Sequence, residues 1–251
     1  MSVPKDTDWT HDFFRGMGLE VVRDPDRERT APLEADWIRR VLGLRPGDRL
    51  LDIPCGTGRI ARELAAEGIR VVAIDRSPEI IREAREAAGG VHPPPTFRVG
   101  DMLDLDEPPR FDAAINWWGS FGYFEDSRNR EVVRRMVSAL RPGGGLLLDA
   151  VNREHVRRHA LERHDISWDD IRILHRVRWD DERERLEGIW EIRRRGRRRI
   201  VRSSIRLYTP SQLTRLAESV GLEEIRLFGD WTGRPYRRGS HRLVLAARRP
   251  L

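Results

Sequence analysis

One cysteine, Cys55, and one lysine, Lys5, stand in the 251 residues of this chain. A lone thiol excludes an intrachain disulfide framework and a cysteine-cluster zinc site. His159, His164 and His175 have no spacing that suits a metal, so none is expected. No apolar run approaches the roughly 18 residues of a membrane span. The segment Met1 to Asp8 has no apolar leader core. These absences predict a cytoplasmic protein with no membrane partner. With lysine almost missing, the 47 basic side chains are nearly all arginine, set against 41 acids for a net charge of +6. The acids are interleaved with the bases, so no nucleic-acid partner is expected. The run Arg193-Arg-Arg-Gly-Arg-Arg-Arg199 has no aromatic residue within it. It reads as a solvated hairpin tip that blunts a sheet edge rather than a phosphate-binding patch.

What is present begins with Leu51-Leu-Asp-Ile-Pro-Cys-Gly-Thr-Gly58, followed by Arg59-Ile-Ala-Arg-Glu-Leu-Ala-Ala-Glu67. An apolar strand runs into an acid, then a Gly-x-Gly turn, then a helix. The turn lets a ligand approach the backbone, and the helix start offers free N–H groups. The next strand, Arg70 to Asp75, ends in an acid 19 residues after Gly56, the place expected for a carboxylate that holds ribose hydroxyls. A dinucleotide fingerprint shares this layout. Asp52 argues against it, because a pyrophosphate would meet a repelling charge there, whereas a cationic ligand would be favoured.

Three further segments follow in order. Phe97-Arg-Val-Gly-Asp-Met102 ends a strand with an acid. Phe111 to Asn116 is a strand opening onto Trp117-Trp118-Gly119-Ser120-Phe121-Gly122-Tyr123-Phe124. Leu140-Arg-Pro-Gly-Gly-Gly-Leu-Leu-Leu-Asp149 is a helix end, a glycine turn and a fifth strand. Together the five segments resemble class I S-adenosylmethionine-dependent methyltransferases. The Ser120 to Phe124 segment, Thr232-Gly-Arg-Pro-Tyr236 and Ser240-His-Arg-Leu-Val244 are similar to a bacterial small-molecule subgroup, some of whose members methylate amines in secondary metabolism. The resemblance implies a Rossmann-like α/β fold, a doubly wound seven-stranded mostly parallel sheet. It implies S-adenosylmethionine as cofactor, S-adenosylhomocysteine as product and a small-molecule acceptor.

Four stretches are expected: an N-terminal helical cap over 1–30, a cofactor-binding core over 31–164, an antiparallel β insert over 165–208, and the last helix and strands over 209–251. Helices are expected over Trp9–Glu20 and Leu33–Leu44. In the insert, Ile171–Trp179, Leu186–Arg193 and Ile200–Tyr208 show partial alternation and predict three strands. The insert is expected to act as a lid or a homo-oligomer interface.

On this resemblance the cofactor would meet Asp52, Pro54, Cys55, Gly56, Thr57, Gly58, Asp75, Arg76, Gly100, Asp101, Met102, Asn116 and Trp117. The acceptor would meet Phe14, Met17, Trp118, Phe121, Tyr123, Asn152, Arg153 and Tyr208, with Trp231 and Tyr236 as further candidates. His155, with its suitable titration range, and Tyr123 are the candidate catalytic groups. The segment Asn116-Trp117-Trp118-Gly119 lacks the Asp/Asn-Pro-Pro-aromatic motif of enzymes that methylate amino groups of nucleic-acid bases. The expected reaction is N-methylation of a small molecule. O- or C-methylation and RNA methylation rank behind it, and a nicotinamide dehydrogenase or a non-catalytic cofactor-binding protein further behind.

Overall fold

A computed structural model describes residues 9–159 and 163–251; the first eight residues of the expected cap and the side chain of His159 lie outside the described residues. The described residues open with α1 (Trp9–Phe13), a 3-10 turn over Gly16–Val21 and α2 (Pro25–Leu42). A doubly wound unit follows: β1 (Arg49–Asp52), α3 (Arg59–Ala66), β2 (Arg70–Asp75), α4 (Pro78–Ala87), β3 (Thr96–Val99), β4 (Phe111–Asn116), α5 (Asp126–Ala139) and β5 (Leu140–Val151). After α6 (Arg153–His159) come β6 (Arg163–Trp168), β7 (Ile171–Asp180), β8 (Arg185–Arg194) and β9 (Arg197–Arg206). The chain closes with α7 (Pro210–Ser219), β10 (Glu223–Phe228) and β11 (Arg242–Arg248).

The larger sheet has seven strands in the order β10-β11-β5-β4-β1-β2-β3. The pairs β3-β2, β2-β1, β1-β4 and β4-β5 are parallel, and β11 runs antiparallel to both neighbours. Strand side chains alternate between the faces: Leu50 packs in one buried cluster with α2 and α3, and Leu51 in the other with α5 and α7. Because both faces are covered, the inner strands read as apolar runs rather than as alternation. No helix among the described residues is long and apolar enough to cross a membrane.

The insert is a separate four-stranded antiparallel meander, β6-β7-β8-β9. It has one strand more than expected. Arg163-His-Asp-Ile-Ser-Trp168 offers only Ile166 and Trp168 to the apolar face, too weak a pattern to stand out as an edge strand. The β8–β9 turn is Arg195-Gly196, both at positive φ (48° and 72°), the geometry of a tight primed hairpin turn.

Helix α2 starts eight residues before the expected Leu33. Asp24 accepts a hydrogen bond from Asp26 N, Pro25 occupies the first turn, and Pro32 is carried inside the helix. The start is set by the Asp24-Pro25 pair, an N-cap followed by a first-turn proline. Helix α2 thus runs unbroken across position 30/31. The stretch expected as one helix over Trp9–Glu20 is divided into α1 and the 3-10 turn. Strand β5 follows α5 directly. The glycine stretch is absorbed as a bulge within it, the register moving from Phe111↔Leu140 to Ala113↔Gly145.

Candidate active site

The carboxyl ends of β1, β2 and β4 and the loop after β3 open onto one cavity of about 310 Å3. The N-terminal segment and the inner face of the insert close it from the other side. An open α/β sheet binds ligands at this edge, where the crossovers diverge.

Asp52 lies at the tip of β1, only 2 % exposed. Burial pushes its carboxyl up to about 8, against the pull of Arg59, with Asp75 adding to the rise. Asp75 ends β2. Its Oδ2 accepts from Gly56 N at 3.0 Å and its Oδ1 from Ser77 N at 3.0 Å, so the carboxylate is fixed while each oxygen keeps a lone pair. Asp101 Oδ1 accepts from Leu103 N at 2.9 Å, and its Oδ2 lies 3.6 Å from Arg76 Nε. These three are the only carboxylate residues on the cavity wall among the described residues.

The turn between β1 and α3 requires its glycines. Gly56 sits at φ +53°, and Gly58 at φ +72° caps α3, where a Cβ would fall 2.5 Å from Phe97 Cε1. Burial, with the nearby Asp75 and Asp52, drives the Cys55 thiol well up, leaving an unreactive packing residue.

Two residues that the sequence reading passed over shape this edge. Glu34, fully buried on α2, pairs with both ends of the Arg59 guanidinium at 3.0 and 2.9 Å. Its Oε2 also accepts from the indoles of Trp117 and Trp118, each at 2.6 Å. One carboxylate thereby ties α2, α3 and the loop after β4 together. The signal was an acid on the buried stripe Ala31, Ala35, Ile38, Leu42. The second is Arg27, which lines the cavity with its guanidinium 4.7 Å from the Trp118 ring centroid. Among the described residues it makes no ion pair, and its Nε is buried without a partner. Its place on the cavity wall follows from the start of α2 at Pro25, eight residues earlier than expected.

Of the residues expected at the cofactor, Asp52, Pro54, Cys55, Gly56, Thr57, Asp75, Arg76, Gly100, Asp101, Met102 and Trp117 line the cavity. Gly58 and Asn116 stand behind that wall. Asn116, fully buried, donates Nδ2–H to Ile53 O at 3.0 Å, and its Oδ1 has no partner.

Of those expected at the acceptor, Phe14, Trp118 and Tyr123 line the cavity. Tyr123 packs on Trp9 and Phe14, ring centroids 5.0 and 5.7 Å away. Burial raises its phenol, so it stays protonated. The structure moves the other expected acceptor residues away from the cavity wall. Phe121 is buried against Tyr208 in the core, and the Tyr208 hydroxyl donates to Asp126 at 2.8 Å. Asn152 Oδ1 accepts from Glu154 N, capping α6, and from the Tyr236 hydroxyl. Arg153 pairs with Glu184 and lies over Trp179. Met17 packs in the cluster that joins the N-terminal segment to the insert. His155 lies against His241, ring centroids 4.6 Å apart, because α6 carries it off the sheet edge. Trp231 stacks behind Trp118.

The arginine run is largely paired within the fold. Arg193 and Arg198 flank Glu191, and Arg194 reaches Glu20. Arg195 meets Asp170, and Arg199 donates to the carbonyls of Arg15 and Asp12 at 2.6 and 2.7 Å. The run fastens the insert to the N-terminal segment.

A doubly wound sheet with one antiparallel strand, a Gly-x-Gly turn after β1 and acids at successive strand ends defines the class I methyltransferase fold. In agreement, residues 50–144 match the family described as a methyltransferase domain. The ubiquinone biosynthesis O-methyltransferase of Xanthomonas campestris pv. campestris is 32% identical over 124 residues, 49% of this chain and 50% of that protein. The glycine N-methyltransferase of Rattus norvegicus is 31% identical over 144 residues, 52% of this chain and 49% of that protein. The chain spans about half the length of these curated relatives. The fold extends further: the CcbJ methyltransferase from Streptomyces caelestis superposes with a TM-score of 0.76 at 21% identity, covering 88% of this chain and 90% of that one.

Proposed function

We propose that this chain transfers a methyl group from S-adenosylmethionine to a small-molecule amine. The observation that carries the reading is the charge arrangement at the sheet edge. The buried Asp52 carboxyl suits the ammonium of the cofactor's amino-acid end, and the unpaired Arg27 guanidinium suits its carboxylate. Asp75, fixed by two backbone N–H groups, keeps lone pairs for the ribose hydroxyls, and Asp101 beside Met102 suits the adenine edge. When bound, the cofactor supplies an electrophilic methyl carbon on a sulfonium. Aromatic walls such as Trp118 and Tyr123 favour a cationic sulfur by roughly 0.5–2 kcal/mol.

The protein's own part is positional. It holds the acceptor in line with the methyl carbon and keeps water out, an effect on the order of 7–11 kcal/mol in favourable cases. The bound cofactor would supply its methyl carbon to an acceptor nitrogen held in line with it, sulfur would keep the electrons of the C–S bond, and the proton left on the methylated nitrogen would pass to solvent. A neutral amine needs no base for the displacement. His155, turned away from the cavity, has no part in this reading. Tyr123, protonated and within 3.4 Å of Ser120 Oγ, orients the acceptor rather than deprotonating it.

The second reading, a hydroxyl acceptor, draws on the half-length likeness to an O-methyltransferase. Calorimetric titration with S-adenosylhomocysteine tests the cofactor assignment, with micromolar binding expected. Turnover of S-adenosylmethionine against matched amine and phenol panels then decides the acceptor atom. Folded protein that binds neither S-adenosylhomocysteine nor S-adenosylmethionine overturns the proposal.

A further inference from the structure

The inner face of the insert carries an imidazole that the fold leaves unused. His175 on β7 lines the cavity, and its ring lies flat on the Trp190 indole, centroids 3.4 Å apart and planes within 14°. Trp190 in turn donates Nε1–H to Ser203 Oγ at 2.9 Å. The three side chains converge because residue 188 is glycine. A Cβ there would lie 2.3 Å from Ser203 Oγ, 2.9 Å from Trp190 Nε1 and 3.1 Å from His175 Nε2. No hydrogen bond from another described residue reaches the His175 ring nitrogens. Burial, helped by His164 on the neighbouring strand, pushes the imidazolium down to about 3, so the ring is neutral at physiological pH. Its surroundings are aromatic: Trp9, Phe14 and Tyr123, packed on one another, line the same cavity. The acids of the cavity all lie at the sheet edge, away from the insert's strands.

Resting on the methyltransferase reading, we infer that His175 is the polar contact for the methyl acceptor, its unprotonated ring nitrogen accepting N–H or O–H from an uncharged donor on a flat aromatic body. The body lies between Trp190 and the Tyr123 wall, and the donor atom is the acceptor's hydrogen-bonding handle. Among the described residues no acid of the insert lines the cavity to stabilise a protonated amine, and the Arg27 guanidinium elsewhere on the wall disfavours one. Trp190 and Ser203 hold the imidazole in place, and Gly188 gives it room.

The test needs no knowledge of the natural acceptor. Protein labelled with 15N-histidine and saturated with S-adenosylhomocysteine is titrated with aniline, phenol, toluene and benzylamine at pH 7. Aniline and phenol are expected to shift the His175 ring signal and to bind about three- to tenfold tighter than toluene, the range of one neutral hydrogen bond; benzylamine, protonated, should bind weakest. His175→Phe, which keeps a ring on Trp190, should erase the preference over toluene, and His175→Gln should restore part of it. S-adenosylhomocysteine affinity serves as the folding control for both variants. Equal binding of toluene and aniline, a preference that survives His175→Phe, or no binding of any probe overturns the inference. Failure of S-adenosylhomocysteine itself to bind overturns the cofactor reading instead, and the same titration without it still decides the role of His175.

Discussion

The two walls of the cavity are built on opposite principles. The sheet edge concentrates ionisable groups: Asp52 and Asp75 end β1 and β2, Asp101 follows β3, Arg27 lines the same cavity, and Glu34 is buried beneath the Trp117-Trp118 loop. The insert wall carries none of that acid and presents Trp190, neutral His175 and Ser203. A sheet edge gains fixed acids because each parallel strand delivers its last residue to the same rim, beside backbone N–H groups that can hold a carboxylate. An antiparallel meander delivers alternate side chains to a broad face, which suits stacking on a flat ligand. On the proposed function, one wall would take a charged cofactor and the other a less polar acceptor.

The contrast is broken most severely at Glu34. Glu34→Ala strands the Arg59 charge and two indole N–H groups in the core. It should lower unfolding free energy by about 3–5 kcal/mol, read by denaturant unfolding, with loss of cofactor binding as a consequence. A smaller loss, under about 1 kcal/mol, would show that the hub relaxes.

Substitutions at the edge itself should weaken binding without unfolding the chain. Asp52→Asn and Arg27→Ala are each expected to cut S-adenosylhomocysteine affinity by about 1.5–3 kcal/mol, the worth of a hydrogen bond to a charged group, in calorimetric titration. Asp52→Asn should leave the melting temperature at pH 8 unchanged or higher. A carboxyl raised to about 8 lessens folded-state stability as pH rises from its unfolded value toward 8, and the amide removes that loss.

The same group sets a pH dependence. Below about 8 the Asp52 carboxyl of the free protein holds a proton, which must leave before a cation can pair with it. Affinity for S-adenosylhomocysteine should therefore climb with pH between 6 and 8, by up to about tenfold per unit. Asp52→Asn should flatten the curve; an unchanged slope would assign the proton to another group.

The smallest effects belong to the arginine run. Arg199→Ala removes two hydrogen bonds to the N-terminal segment. It should cost about 1 kcal/mol or less but speed proteolysis ahead of α2. Arg193→Ala, an exposed partner of Glu191, should shift stability by no more than about 1 kcal/mol and serves as the control.

Local signals carried much of this molecule. The Gly-x-Gly turn, the acids closing three strands and the strand-helix alternation are readable because parallel strands buried on both faces form apolar runs with abrupt polar ends. Asp52, Asp75 and Asp101 were legible for that reason. Tyr208, Phe121 and Asn152 were misread because an aromatic or amide after a strand end looks the same whether it turns into a cavity or back into the core. Their partners, Asp126 for Tyr208 and Tyr236 for Asn152, come from 82 and 84 residues away in sequence. The edge strand β6 was missed because one half-covered face imposes only a weak pattern.

The sequence by itself determined the sheet, its order of elements and the charged rim, since these follow from hydrophobic period and from glycines required at positive φ. Only the tertiary structure decided that Glu34 unites Arg59 with two tryptophans, that Arg27 stands unpaired in the cavity, and that His175 faces it from a strand about a hundred residues from Asp75. Those facts arise from pairing elements far apart in the chain, and such pairing leaves no local periodicity to read.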